Sequence, residues 1–197
     1  MKVVYFAFSM VVSLCAVLCC PEEDIFNGDF YIANTQDDVS IVDNVNYINL
    51  GDTIYISTKI NNEHITINET TFFIDDYISE EYPINTSLAL FKLNPYGNIE
   101  NVSLNNDAIS VIIGSTELIQ DINNAYLSVK LIKEEQFYVN IFGITPLETG
   151  TYFIGSSYYQ YNNGLIEIYS SNDVGTVQIN TTLLNANENG LYQFEVN

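Results

Sequence analysis

"PLETGTYFI", residues 146–154, is a corner that runs into a strand. Pro146 and Gly150 punctuate the chain, and Thr151, Tyr152, Phe153 and Ile154 follow as a β-branched and aromatic run suited to a pleated sheet. The same period of two extends outward in both directions. "TIYISTKI" (53–60) sets Ile54, Ile56, Thr58 and Ile60 on one face and Thr53, Tyr55, Ser57 and Lys59 on the other, the pattern of a half-buried strand. "LSVKL" (127–131) predicts Leu127, Val129 and Leu131 inward, and "FYVNI" (137–141) predicts Phe137, Val139 and Ile141 inward. With "SLALFKL", "AISVII", "TYFIGS", "LIEIY", "TVQI" and "LYQFEV", the count reaches about ten to twelve short strands, separated by turn strings such as "NPYGN", "NNG" and "NENG". Helical signal is thin. "TELIQDINN" (116–124) has room for a turn or two, and "DDYISEEY" (75–82) is a weaker candidate in a connecting loop. The pattern predicts an all-β fold, an antiparallel sandwich or a barrel.

The opening stretch also carries a resemblance. An acid-x-glycine-x-tyrosine run entering a late strand resembles the tyrosine corner of immunoglobulin-like domains, and Glu148, Gly150 and Tyr152 stand in that order here. The resemblance implies an immunoglobulin-like β-sandwich, a Tyr152 hydroxyl bonded to backbone upstream, and Leu147 at a buried position. The cysteine usual two residues past the tyrosine is replaced by Ile154, which implies a disulfide-free variant. "YINLGDTIYIS" and "YVNIFGITPLETGTYFI" resemble phrases of uncharacterised surface lipoproteins of Bacteroidota (flavobacterial type), a family that implies no activity.

The first residues read as an address. Lys2 precedes an apolar run from Val3 to Cys19 broken only by Ser9 and Ser13, in the manner of a signal peptide. Lipoprotein processing needs a branched apolar residue three positions before the lipidated cysteine and a small one immediately before it. Leu14 and Leu18 are too bulky before Cys15 and Cys19, whereas Cys20 has Val17 and Cys19 in those places. The expected organisation is a lipoprotein signal peptide at 1–19, lipidation at Cys20, an acidic tether at 20–28 and one β-sandwich domain at 29–197. Plain secretion or an uncleaved membrane anchor are the rivals. Pro21, Glu22, Glu23 and Asp24 directly after the cysteine resemble the export signal of those same surface lipoproteins, which implies the outer face of the outer membrane. A merely solvated acidic tether is the alternative.

Charge excludes several functions. The formal net charge is −20, with five Lys plus Arg against 25 Asp plus Glu, every one of the five a lysine, and cleavage of the leader removes Lys2 but no acid. Such a chain repels nucleic acids and anionic headgroups and has no guanidinium fork for phosphate. Yet 47% hydrophobic and 13% aromatic residues supply a core, so disorder is not expected. All three cysteines lie at or before position 20, so the expected mature fold has neither disulfide nor thiolate chemistry.

Candidate chemistry is sparse. His64 is the only histidine and reads as a surface or turn residue, with no G-x-S-x-G elbow to partner it. The adjacent acid pairs, Asp75 with Asp76, Glu80 with Glu81 and Glu134 with Glu135, point to opposite faces of a strand, so none is itself a hydrolytic dyad. Asp75, Asp76, Glu80 and Glu81 are the candidate calcium ligands, as clustered hard oxygens, without the spacing of a recognisable calcium loop. No other cofactor is expected. "SSYYQYNNG" (156–164) brings Tyr158, Tyr159 and Tyr161 beside Asn162 and Asn163, a mix suited to stacking on a ligand such as a sugar. The competing expectation is a strand in which Tyr159 and Tyr161 share one sheet face. Four Asn-x-Ser/Thr sequons, at Asn68, Asn85, Asn101 and Asn180, are ordinary for an asparagine-rich chain. The sequence thus points to a lipid-anchored, non-enzymatic surface or binding protein, with an extracellular protein or glycan as partner and no nucleic acid. A glycan hydrolase drawing carboxylates from separate strands is the alternative.

Overall fold

The computed structural model describes residues 28–120 and 124–197. The leader, Cys20, Glu22, Glu23, Asp24 and nearly all of the tether lie outside the described residues. Within them the chain starts with β1 (Asp29–Asn34), β2 (Val39–Ile41), β3 (Tyr47–Ile48), β4 (Ile54–Asn61), β5 (Glu63–Ile65) and β6 (Thr71–Phe73). It continues with β7 (Asn85–Leu93), β8 (Ile99–Asn101), β9 (Ile109–Ile113), β10 (Ser115–Gln120), β11 (Ala125–Lys130) and β12 (Ile132–Glu134). It ends with β13 (Phe137–Ile144), β14 (Gly150–Ser156), β15 (Ile166–Ser171), β16 (Gly175–Thr181) and β17 (Tyr192–Val196).

These strands form a sandwich-like all-β fold of a ten-stranded and a five-stranded sheet, with β5 and β6 as a separate ribbon. In the larger sheet β7 is the hub. β11 and β15 flank its first half, and β8 and β14 flank its second half. In the smaller sheet β13 plays that part, with β4 along one edge and β12 then β9 along the other. The pairing is not wholly antiparallel as expected: β1 lies parallel to β16, and β3 parallel to β17. No described helix is long and apolar enough to cross a membrane.

One core joins the two sheets. Ile54, Ile56 and Ile60 of β4 pack with Leu88 and Leu90 of β7 and Ile166 and Ile168 of β15 in a single buried cluster. The inward face of β4 is as its alternation predicts. The inward face of β13 is the opposite of the expectation. Tyr138, Asn140 and Phe142 are buried against the core, whereas on the other side Phe137 and Ile141 are only half-buried and Val139 alone of the expected three is buried. Register explains it: Tyr138, Asn140 and Phe142 stand directly opposite Ile60, Thr58 and Ile56, and directly paired residues share a face. The outer Phe137 instead lies under Lys59, whose ammonium is 3.9 Å from the ring centroid.

Three further expectations change. Residues 116–120 of the expected helical turn fall in β10, because pairing with β11 satisfies their backbone and overrides a weak helical preference. In "DDYISEEY" only a short 3₁₀ turn at Ile74–Asp76 forms. Leu147 is 59% exposed rather than buried. The corner around it is otherwise as expected: the Tyr152 hydroxyl donates to the Glu148 carbonyl at 3.0 Å, and Gly150 sits at φ 138°, where a side chain would be strained.

Candidate functional site

The strongest site is built on the outer face of the larger sheet. β7 is apolar on both sides, so that Leu88 and Leu90 enter the main core while Ala89 and Phe91 point outward, where Phe153 of β14 joins them. An uncovered patch of this kind would be costly in water. The segment after β14 covers it. "SSYYQYNNG" is not a strand but a series of turns folded back over the sheet, with Tyr159 packed edge-on against Phe91 at 4.9 Å between centroids. Internal hydrogen bonds brace the turns: the Tyr161 amide donates to the Tyr158 carbonyl at 2.8 Å, and Asn162 Nδ2 donates to the Leu165 carbonyl at 2.6 Å. Tyr159 is therefore a packing residue, while Tyr158 and Tyr161 stay 59% and 86% exposed.

A second loop fixes the first. Asn187 closes the "NENG" turn, its side-chain oxygen accepting from the Leu191 amide at 3.1 Å, and Leu191 is fully buried in the outer patch. Gly190 of this turn and Gly164 of the tyrosine loop, at φ 71° and 76°, touch backbone to backbone, so a Cβ on either would run into the other. The two glycines thus clamp the loops together.

Two open clefts of about 600 and 550 Å³ result, and they share Ile99, Tyr159 and Gln160 to make one trough. Asn98, Asn163, Glu188 and Asn189 line the first, and Tyr158, Tyr161, Glu100 and Asn101 line the second. Asn101 is committed to structure, bonding the Ala125 backbone at both ends of its amide. Among the described residues, the exposed side-chain amides of Asn98, Asn163 and Asn189 make no hydrogen bond. No lysine lines either cleft. Sequence reasoning finds the tyrosines but misses Asn98, Glu100, Glu188 and Asn189. Their only signal is the pair of turn strings "NPYGN" and "NENG", which predict turns without predicting that they meet.

The other candidates have structural employment. Asp75 accepts hydrogen bonds from Lys133, from the Tyr138 hydroxyl and, at 2.8 Å, from Asn62 Nδ2. Burial pushes its carboxyl up, but these bonds and the lysine charge outweigh that and hold it below the usual range. Asp76, Glu80 and Glu81 are exposed and do not converge on it. Among the described residues no three His, Cys, Asp or Glu side chains gather as a metal site would require. Glu134 and Glu135 are likewise exposed. His64 is not a surface residue: it is 6% exposed, stacked on Phe72 at 5.7 Å, with Nε2 donating to the Asn61 carbonyl at 2.7 Å. Its place opposite Phe72 on the β5–β6 ribbon turns it inward. Burial lowers its pKa, opposed by the Asn61 carbonyl and the charge of Asp38.

No protein-family model matches the chain, and no curated protein matches it. Among solved structures it is similar to the human F-spondin reeler domain, at 9% sequence identity and a TM-score of 0.33, covering 90% of this chain and 100% of that one.

Proposed function

We propose that this chain is a lipid-anchored, extracytoplasmic binding protein of the cell surface, without catalytic activity, that meets its ligand at the tyrosine trough. The observation that carries the binding reading is the pairing of exposed Tyr158 and Tyr161 with a loop held rigid from below by Tyr159 and from the side by the two glycines. Rigid aromatic anchors beside adaptable amides lose little conformational freedom on binding, which is how tyrosine-rich binding surfaces gain affinity. The anchor reading rests on the sequence around Cys20 and on the acids at 22–24, which suit export to the outer membrane of a Bacteroidota-type cell. Several acyl chains on one cysteine hold a protein at a bilayer without a spanning helix. The reading calls on no cofactor.

The second reading, a glycan hydrolase, needs two carboxylates from separate elements. Glu188 lines the trough, whereas Glu100, directly paired with Lys92, points to the opposite face of the sheet from Phe91 and accepts a hydrogen bond from Asn94 Nδ2 at 2.7 Å. The test of the first reading is the intact mass of the protein from native membranes, compared with Cys20→Ala, together with protease shaving of whole cells. An acylated mass lost in the variant, with protein removed by shaving, is expected. An unmodified mass or protection from shaving contradicts the anchor, and release of reducing ends from oligosaccharides by the wild type but not by Glu188→Gln contradicts the non-catalytic reading.

A further inference from the structure

We infer that the trough takes neutral, hydroxyl-rich glycans and rejects anionic ones. This deepens the binding reading and rests on it. The two clefts adjoin at Ile99, Tyr159 and Gln160, so an extended ligand can reach both, and each is within the size range of small-molecule sites. The wall is aromatic at one end, where the rings of Tyr158 and Tyr161 are exposed to water. A pyranose ring offers an apolar C–H face to such a ring and hydroxyls around its edge. At the other end the unpartnered amides of Asn98, Asn163 and Asn189 both donate and accept, as hydroxyls do.

Charge selects within that class. Among the described residues the trough carries the carboxylate of Glu188 and no lysine. The four lysines of the described chain are engaged elsewhere: Lys92 with Glu148 at 2.6 Å, Lys130 with Glu117 at 3.4 Å, Lys133 with Asp75, and Lys59 over Phe137. A uronate or sulfated sugar would meet the Glu188 carboxylate and no counter-charge, whereas a neutral sugar leaves it as a hydrogen-bond acceptor.

The experiment is an oligosaccharide array carrying neutral glucans, mannans and xylans alongside uronate-containing and sulfated chains, probed with the labelled full chain at physiological salt. Tyr158→Ala/Tyr161→Ala serves as the variant, since both rings are exposed, with a thermal melt to check that the fold is kept. Binding to a subset of the neutral chains, none to the anionic ones, and at least about tenfold weaker binding by the variant are expected. Silence on every neutral glycan, stronger signals from anionic chains, or unchanged binding by the variant overturns the inference. Silence here with a lipidated, shaving-sensitive protein removes the glycan and leaves the surface reading standing, whereas failure of the mass and shaving test with glycans bound does the reverse.

Discussion

Asn140 and Thr58 stand opposite each other in the core, both fully buried and polar, with opposite consequences. Asn140 Nδ2 donates to the Ser115 carbonyl at 3.0 Å and the Lys130 carbonyl at 2.8 Å, tying the smaller sheet to the β10–β11 pair of the larger one. The Thr58 hydroxyl has no partner. Replacing Asn140 with Ala strands those groups and is expected to cost about 2–3 kcal/mol in chemical denaturation. Thr58→Val keeps the shape and removes an unpaired hydroxyl, so it is expected to raise stability by about 1 kcal/mol. His64 gives the pH dependence. Its folded pKa lies below the ordinary 6.5, so the unfolded chain takes up the proton first, and stability falls as pH drops below about 6.5 toward the folded value. Acidification also relieves the repulsion of a strongly negative chain, so the comparison must be internal. The denaturation midpoint of the wild type, measured against His64→Gln, is expected to decline between pH 7 and 5. A constant gap would contradict the assigned burial.

At the level of elements, the two clamped loops decide whether the trough is preformed. Gly190→Ala forces a side chain into the Gly164 backbone and into a left-handed conformation. The expected result is a loss of about 1–3 kcal/mol and faster amide exchange in residues 157–165 as well as 187–190. Faster exchange in 187–190 alone would mean that the loops are not coupled. The same elements show what the sequence makes legible. Alternation in "TIYISTKI" identifies the buried face of β4 because its outer residues are polar. It misassigns β13, where both faces are apolar and only the pairing with β4 chooses between them. "SSYYQYNNG" reads as a strand by composition, yet Asn163 and Gly164 at positive φ break the pleat and turn the tyrosines onto the sheet surface. Asn98 and Glu188, from turns roughly ninety residues apart, meet at the trough only through sheet topology, which no local pattern encodes.

For the whole molecule, the central claim is a lipid-tethered sandwich that displays Tyr158 and Tyr161 to the outside of the cell while Tyr138 and Tyr152 are spent on the core. The all-β class was legible from strand spacing and the tyrosine corner. The trough was only half legible, since composition supplied its rings but not its partners. Of the tyrosines, Tyr138 and Tyr152 are buried and hydrogen-bonded, to Asp75 and to the Glu148 carbonyl, whereas Tyr158 and Tyr161 are the exposed pair of the trough. Enzymatic iodination of intact cells, with a reagent that does not cross membranes and peptide-level mass spectrometry, tests this most directly. Modification of Tyr158 and Tyr161 with Tyr138 and Tyr152 spared is the expected result. Labelling of the first two only after lysis would place the domain inside the envelope, and equal labelling of all four would contradict the fold that presents them.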